Sequence, residues 1–305
     1  MLITRIRRAG LVAMAMASLA GCASLPVMVP DMAVSSRPIR LEGAHGPLSV
    51  EQSKAILDRL KRRHQDNDIF ERHLALEEVI VGSPLVVGNK VVLLEDGPDT
   101  FKAMFTAIAN AKNHINMETY ILDDDEVGRR FADALIAKQT QGVQVNLIYD
   151  SVGTINTPAE FFQHLADNGI QLLEFNPINP LKTKAGWEVN QRDHRKLLIV
   201  DGETAFLGGI NISSVYSSGS LRKRGKPPPA NGLPWRDTHF KVEGPVVGEL
   251  QKLFIATWEK QQGPPLSEKN YFPQLSSKGQ EVVRAIGSSP DNGYSLIHTT
   301  LLSAI

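Results

Sequence analysis

One cysteine in 305 residues excludes an intrachain disulfide, so Cys22 needs another explanation. An excess of positive charge is missing as well: 33 Lys and Arg face 33 Asp and Glu. Without residues 1–21, which hold Arg5, Arg7 and Arg8 and no acid, 30 basic residues remain against 33 acidic ones, a charge of −3. A nucleic-acid partner is therefore not expected, because its binders display a basic surface. The apolar stretch from Ala9 to Leu19 is too short to span a bilayer comfortably. What the chain does have is 42% hydrophobic residues, an ordinary share for a globular core, and a length that admits one large or two small domains.

The first 21 residues combine a cationic start, a short apolar core and small residues before Cys22, the pattern of a secretory signal. Leu19-Ala20-Gly21-Cys22 resembles a bacterial lipobox, which predicts lipidation of Cys22 and an exported protein held to a membrane. Several acyl chains on one residue would anchor it stably. The alternative is that Cys22 is an incidental apolar residue of the signal core. Ala23 after the cysteine resembles an outer-membrane destination, on its periplasmic side, if the host is Gram-negative. Residues 22–49, with Pro26, Pro30, Pro38 and Pro47, read as a tether, and 50–83 as a helical segment broken near Asp66-Asn67-Asp68.

From residue 84 to 260 apolar strands and amphipathic helices alternate with short connections. Strands are expected at 91–94, 115–122, 143–149 and 170–175, with helices at 99–111, 126–139, 157–168 and 244–259. Asp123-Asp124-Asp125 reads as a helix cap more readily than as a cation site. This alternation defines an α/β domain with a sheet covered by helices. The stretch Ser217–Pro234, with Arg222-Lys223-Arg224 and three prolines, is a loop, either a plain linker or a basic lip for phospholipid headgroups.

Inside the domain lies H-x-K-x4-D: His194, Lys196 and Asp201, followed by Gly208-Gly209-Ile210-Asn211. Leu197–Val200 is a buried-strand run, Asp201-Gly202 a hairpin dipeptide and Thr204–Leu207 the returning strand. His194 and Lys196 are two apart and so point to one side. Asn211 leaves the return strand beside them, and the two glycines clear the space between. The pattern places an imidazole, an ammonium and a carboxamide where one phosphate meets all three. Asp201 falls at the turn beyond the pocket, which gives it mainly a structural part in fixing the motif.

This motif resembles that of the phospholipase D superfamily, and the chain is most similar there to bacterial cardiolipin synthases. Met117-Glu118-Thr119-Tyr120, Asp124-Asp125-Glu126-Val127-Gly128, Phe175-Asn176-Pro177 and Trp235-Arg236-Asp237-Thr238-His239 carry the likeness in the expected order, over roughly residues 70–260. The resemblance implies a phospholipase D-like domain at 84–260 with a central mixed β-sheet flanked by helices. It implies a phosphatidyltransferase acting on phospholipid phosphodiesters through a phosphohistidine on His194, without metal or cofactor. Lys196 and Asn211 would hold the nonbridging oxygens, and Asp237 would orient the His194 ring. Glu118 and Tyr120 line the cleft or fix the core and stay outside the catalytic set. His239 either approaches the site or satisfies a strand end.

Members of the superfamily normally duplicate this domain, with two motifs facing each other across one site. Here 261–280 reads as a linker, and Glu281–Ile286, Gly287 and Pro290-Asp291 begin to repeat Val91–Leu94, Gly97 and Pro98-Asp99. Residues 281–305 are thus expected to be the start of a truncated second copy. The second motif would come from a missing C-terminal half or from a homodimer partner. Other readings are a hydrolase using water as acceptor, a single-motif dimeric phosphodiesterase or nuclease, and an inactive half.

Overall fold

The structure is a computed structural model that describes residues 39–63, 73–75, 77–78, 81–179, 190–217, 235–288 and 296–303. The signal, Cys22, the break at Asp66–Asp68 and nearly all of the basic loop fall outside the described residues. Strands are β1 (Leu41–Gly43), β2 (Gly46–Pro47), β3 (Leu85–Leu94), β4 (His114–Thr119), β5 (Gln144–Asp150), β6 (Gln171–Phe175), β7 (Leu197–Val200), β8 (Thr204–Gly208), β9 (His239–Glu243) and β10 (Glu281–Val283). Helices are α1 (Val50–Arg63), α2 (Gly97–Asn110), α3 (Glu126–Thr140), α4 (Ala159–Asp167), α5 (Val247–Lys260) and α6 (Leu296–Ser303).

The sheet is mixed, in the order β2-β1-β3-β9-β8-β7-β4-β5-β6, with β10 also paired to β3. β4, β5 and β6 run parallel, whereas β7 is antiparallel to β4 and starts the run β7-β8-β9-β3 of antiparallel neighbours. Alternation sends Ile115, Met117, Leu147, Leu198 and Phe206 to one face, against Phe101, Met104 and Ile108 of α2, Phe131 and Leu135 of α3 and Leu165 of α4. The intervening residues Ile148, Leu197, Ile199 and Val242 face Leu250, Phe254 and Trp258 of α5. Covered on both faces, β7 is apolar throughout.

Acids fix the helix starts. Asp96 caps α2 by accepting from Asp99 N at 3.1 Å, and Asp125 caps α3 by accepting from Val127 N and Gly128 N at 2.9 and 3.0 Å. The second Asp125 oxygen accepts from Ser214 N at 2.6 Å, which ties α3 to the turn at 214–216. A capping role, not a cation site, describes Asp125.

Two boundaries differ from the sequence expectation. The tether was expected to run to residue 49, yet β1 and β2 form a hairpin, β1 pairs with β3, and Leu41 is buried with Leu74 and Leu85. Gly46, at φ 101°, makes the tight reversal that the composition concealed. Residues 261–280, expected as linker, are packed: Trp258 Nε1 donates to Pro264 O at 2.8 Å, Tyr271 stacks on His114 at 4.6 Å, and Lys278 N donates to Gly88 O at 2.7 Å. β10 then pairs antiparallel with β3, Glu281 opposite Asn89.

The β7–β8 connection is the three residues Asp201–Glu203: Asp201 and Gly202 are left-handed at φ 55° and 68°, and Glu203 N donates to Val200 O at 3.0 Å. The Asp201 carboxylate accepts from the backbone N–H groups of Lys112, Asn113 and His114 at 2.7–3.1 Å. It thereby fixes the turn of β7 against the start of β4. Asp201→Ala strips three amides of a charged acceptor and should lower unfolding free energy by about 2–4 kcal/mol, with Asp201→Asn losing less. Chemical denaturation measures this directly; an Ala variant as stable as the parent would refute the anchoring role.

Candidate active site

Alternation along the approach to β7 separates three consecutive motif residues. Arg195 turns to the α5 side with Leu197, and its Nη1 donates to Thr257 Oγ1 at 2.6 Å and to buried Glu118 Oε1 at 3.1 Å. Its Nη2 donates to Ser288 O at 3.2 Å. His194 and Lys196 turn the other way, into a pocket of about 410 Å³ lined also by Tyr120, Gly209, Asn211, Tyr216, Trp235, Arg236 and Asp237. The pocket opens where β4 and β8 end and where β7 and β9 begin.

Lys196 Nζ donates to the His194 carbonyl at 2.7 Å and lies 5.0 Å from the centre of the Tyr120 ring. That ring packs on the His194 imidazole, centres 4.6 Å apart. Burial, then the Lys196 charge, lowers the His194 pKa, so the imidazole is neutral at neutral pH. Burial also pushes Lys196 down to about 8, against the pull of Asp193, Asp237 and Asp150. A neutral nucleophile beside an ammonium is the combination that attack on an anionic phosphodiester requires.

The segment before β7 is pinned from below. Buried Asp150, at the end of β5, accepts from Asp193 N at 2.8 Å through one oxygen and from Val152 N and Gly153 N at 2.8 and 3.0 Å through the other. Arg192 Nη1 donates to Ser151 Oγ at 2.8 Å and to Asn176 O at 3.1 Å. On the α5 side Glu118 is fully buried, and burial together with neighbouring Asp193 raises its pKa well above the carboxylate range. Arg195, bonded to its Oε1 at 3.1 Å, opposes that rise.

Of the five residues singled out in the sequence, the four expected at the pocket meet there, and Asp201 lies beyond it as its place in the turn implies. His194, Lys196, Asn211 and Asp237 line the pocket; Asp201 does not, because it stands at the opposite end of β7. It lines a separate hollow of about 930 Å³ with Lys112 and Lys241 that contains neither His194 nor Lys196. Asn211 is held by its own bonds: its Oδ1 accepts from Ile121 N at 3.0 Å and its Nδ2 donates to the Tyr216 hydroxyl at 3.0 Å. One of its two N–H bonds is thus already engaged.

Asp237 enters the pocket without hydrogen-bonding the His194 ring among the described residues, contrary to its expected orienting contact. Its Oδ1 accepts from Thr238 N at 2.8 Å, and the carboxylate rests over Gly209, where any Cβ would collide with it. The glycine therefore makes room for a carboxylate. Asp237 acts on His194 through charge, favouring the protonated ring. His239 lies buried against Gly208, where burial and Lys196 push it down to about 4. Among the described residues neither ring nitrogen has a hydrogen-bond partner.

Tyr120, Asp150 and Asp193 are the residues that the sequence did not assign to the site. Tyr120 carried a signal, its place within Met117–Tyr120; the carboxylates carried none, since their partners come from other strands.

A hairpin-borne His-Lys pair with Asn211, on a mixed sheet between helices, defines a phospholipase D-like domain. The chain belongs to the phospholipase D superfamily, and residues 104–219 match the family model for the cardiolipin synthase, PLD-like domain. It is 34% identical over 275 residues to cardiolipin synthase 1 of Bacillus anthracis, covering 84% of this chain and 51% of that protein. With cardiolipin synthase A of Pseudomonas fluorescens the identity is 35% over 228 residues, 73% of this chain and 44% of the relative. The chain thus spans about half the length of these relatives. The crystal structure of Nuc, a phospholipase D family member from Salmonella typhimurium, superposes with a TM-score of 0.40 at 20% identity, over 58% of this chain and 97% of that one.

The Lys196 titration gives a test that needs no turnover. Its ammonium keeps the proton below about pH 8 and loses it above, so sulfate, whose charge is constant there, should bind more weakly as pH rises through 8. Lys196→Arg should keep binding level across that range, because guanidinium does not titrate. Calorimetric titration checks both; sulfate affinity of the parent chain unchanged from pH 7 to 9 would remove Lys196 from the anion site.

Proposed function

We propose that this chain supplies one half of a phosphatidyltransferase site of the cardiolipin synthase type. The supporting observation is the neutral His194 beside the Lys196 ammonium in one pocket with Asn211. His194 attacks phosphorus, a P–N bond forms and the P–O bond to the leaving alcohol breaks. A second histidine protonates the departing oxygen and later takes the proton of the acceptor alcohol, which attacks and releases His194. Lys196 and the Asn211 amide stabilise the nonbridging oxygens while charge builds there. No metal is needed in this scheme.

The substrate is a phospholipid phosphodiester, phosphatidylglycerol in the first instance, as the names of the relatives suggest. The second histidine belongs to a second H-x-K-x4-D motif, from a C-terminal half or from a second copy of this chain. Cys22 carries the lipid that keeps the domain at the membrane on the exported side.

In the assembled enzyme, His194→Ala should remove the acid-trapped phosphoenzyme and lower turnover of phosphatidylglycerol vesicles by about 10⁴-fold. Near-normal turnover in that variant would sink the nucleophile assignment. The chain by itself should lose activity on dilution to monomer, and activity that persists there would overturn the need for a second histidine.

Lipidation is tested separately. Cys22→Ser should abolish labelling by a radioactive fatty acid and leave the precursor uncleaved or redirected; unchanged incorporation would show that Cys22 is an ordinary residue of the signal.

A further inference from the structure

Tyr120 follows the last residue of β4 and sits between the two motif side chains. Its ring centre is 4.6 Å from that of His194, with the planes at 52°, and 5.0 Å from Lys196 Nζ. The second distance is within cation–π range. The tyrosine is seated from behind by Gly153, where a Cβ would collide with the Tyr120 carbonyl oxygen and come within 2.8 Å of ring atom Cδ2. Gly153 N is held by Asp150, and the other oxygen of Asp150 holds Asp193 N, the residue before His194. Asp150, Gly153, Tyr120, His194 and Asp193 therefore close a ring of contacts around one buried carboxylate.

We propose that Tyr120 is a positioning residue for the transfer reaction, its π face bracing the His194 imidazole and the Lys196 ammonium in one fixed arrangement. This rests on the reading of the pocket as a phosphodiester site. The face of the ring does the work, not its bulk or its hydroxyl. An aromatic face carries negative potential, which favours a cation that burial disfavours. An aliphatic side chain of similar size would keep water out equally well and give no such compensation. The same ring limits rotation of the imidazole, so that its attacking nitrogen stays aimed into the pocket.

Two variants separate these contributions. Tyr120→Phe keeps the face and drops the hydroxyl; Tyr120→Leu keeps apolar cover and drops the face. Competitive acetylation of Lys196, followed by peptide mass across a pH series on the full chain without substrate, should give the same titration in Tyr120→Phe as in the parent. In Tyr120→Leu it should move down by about half a pH unit. Tyr120→Met provides the same comparison if leucine lowers the melting temperature. In the assembled enzyme Tyr120→Leu should reduce kcat by about tenfold or more with KM within about twofold, while Tyr120→Phe keeps both. A Lys196 titration unmoved in both aliphatic variants, or moved equally in Tyr120→Phe, would overturn the brace. Because acetylation requires no turnover, that failure leaves the phosphodiester reading intact, and absence of a phosphoenzyme on His194 would sink the reading without touching the titration.

Discussion

The buried carboxylate of Asp150 is the constraint on which the pocket depends. It stands at the end of a parallel strand and satisfies three backbone N–H groups, two in the loop after β5 and one immediately before His194. Burial alone would favour its protonated form, and the three donors together with Arg192, 3.8 Å away, oppose that. At the far end of β7, Asp201 does the same for three N–H groups before β4. The motif strand is thus gripped at both ends by carboxylates whose lone pairs are occupied by backbone. Neither acid needs to touch a substrate for the site to depend on it.

Between these grips the pleat sorts the charges. Lys196 and His194 face the pocket, while Arg195 turns beneath the sheet to buried Glu118 and Thr257. Had the register slipped by one residue, the guanidinium would face the pocket and the imidazole would be buried. Pairing of Glu118 opposite Leu197 fixes that register. Burying Glu118 costs free energy, and its bond to Arg195 offsets part of that cost. The pocket keeps its positive character because the acids below it are paired or spent on backbone.

Much of this was legible in the sequence because it is local. The four apolar residues of β7, the Asp201-Gly202 turn and the acidic cap of α3 are readable within a few positions, and the structure has them all. The pocket was legible to the extent that His194, Lys196 and Asn211 are near in sequence. What escaped is non-local. Asp237 was expected on the His194 ring but rests over Gly209, a placement decided by how β9 lies beside β8. β1 and β2 hid in a stretch whose prolines suggested a tether, since a three-residue strand leaves too little periodicity to read. Tyr120 stayed undecided between cleft and core because nothing local says which strand end faces it.

The chemistry of the pocket also states what it lacks. In the proposed transfer the leaving alkoxide needs a proton in the transition state, and four titratable groups near His194 are poorly placed to give one. Lys196 is needed as a charge on the nonbridging oxygens and would lose that charge by donating. Asp237 is a carboxylate seated on Gly209 and bonded to Thr238 N. Glu118 lies on the other side of the sheet, behind Arg195. His239, buried against Gly208 and pushed down to about 4, is neutral and enclosed. In the proposed scheme the donor reaches the open side of the pocket from a second motif, where a histidine with a pKa near neutrality can give the proton to the first alcohol and take it back from the second. The proposed second copy of the motif would supply that group, with the environment of each copy deciding which histidine attacks and which carries the proton.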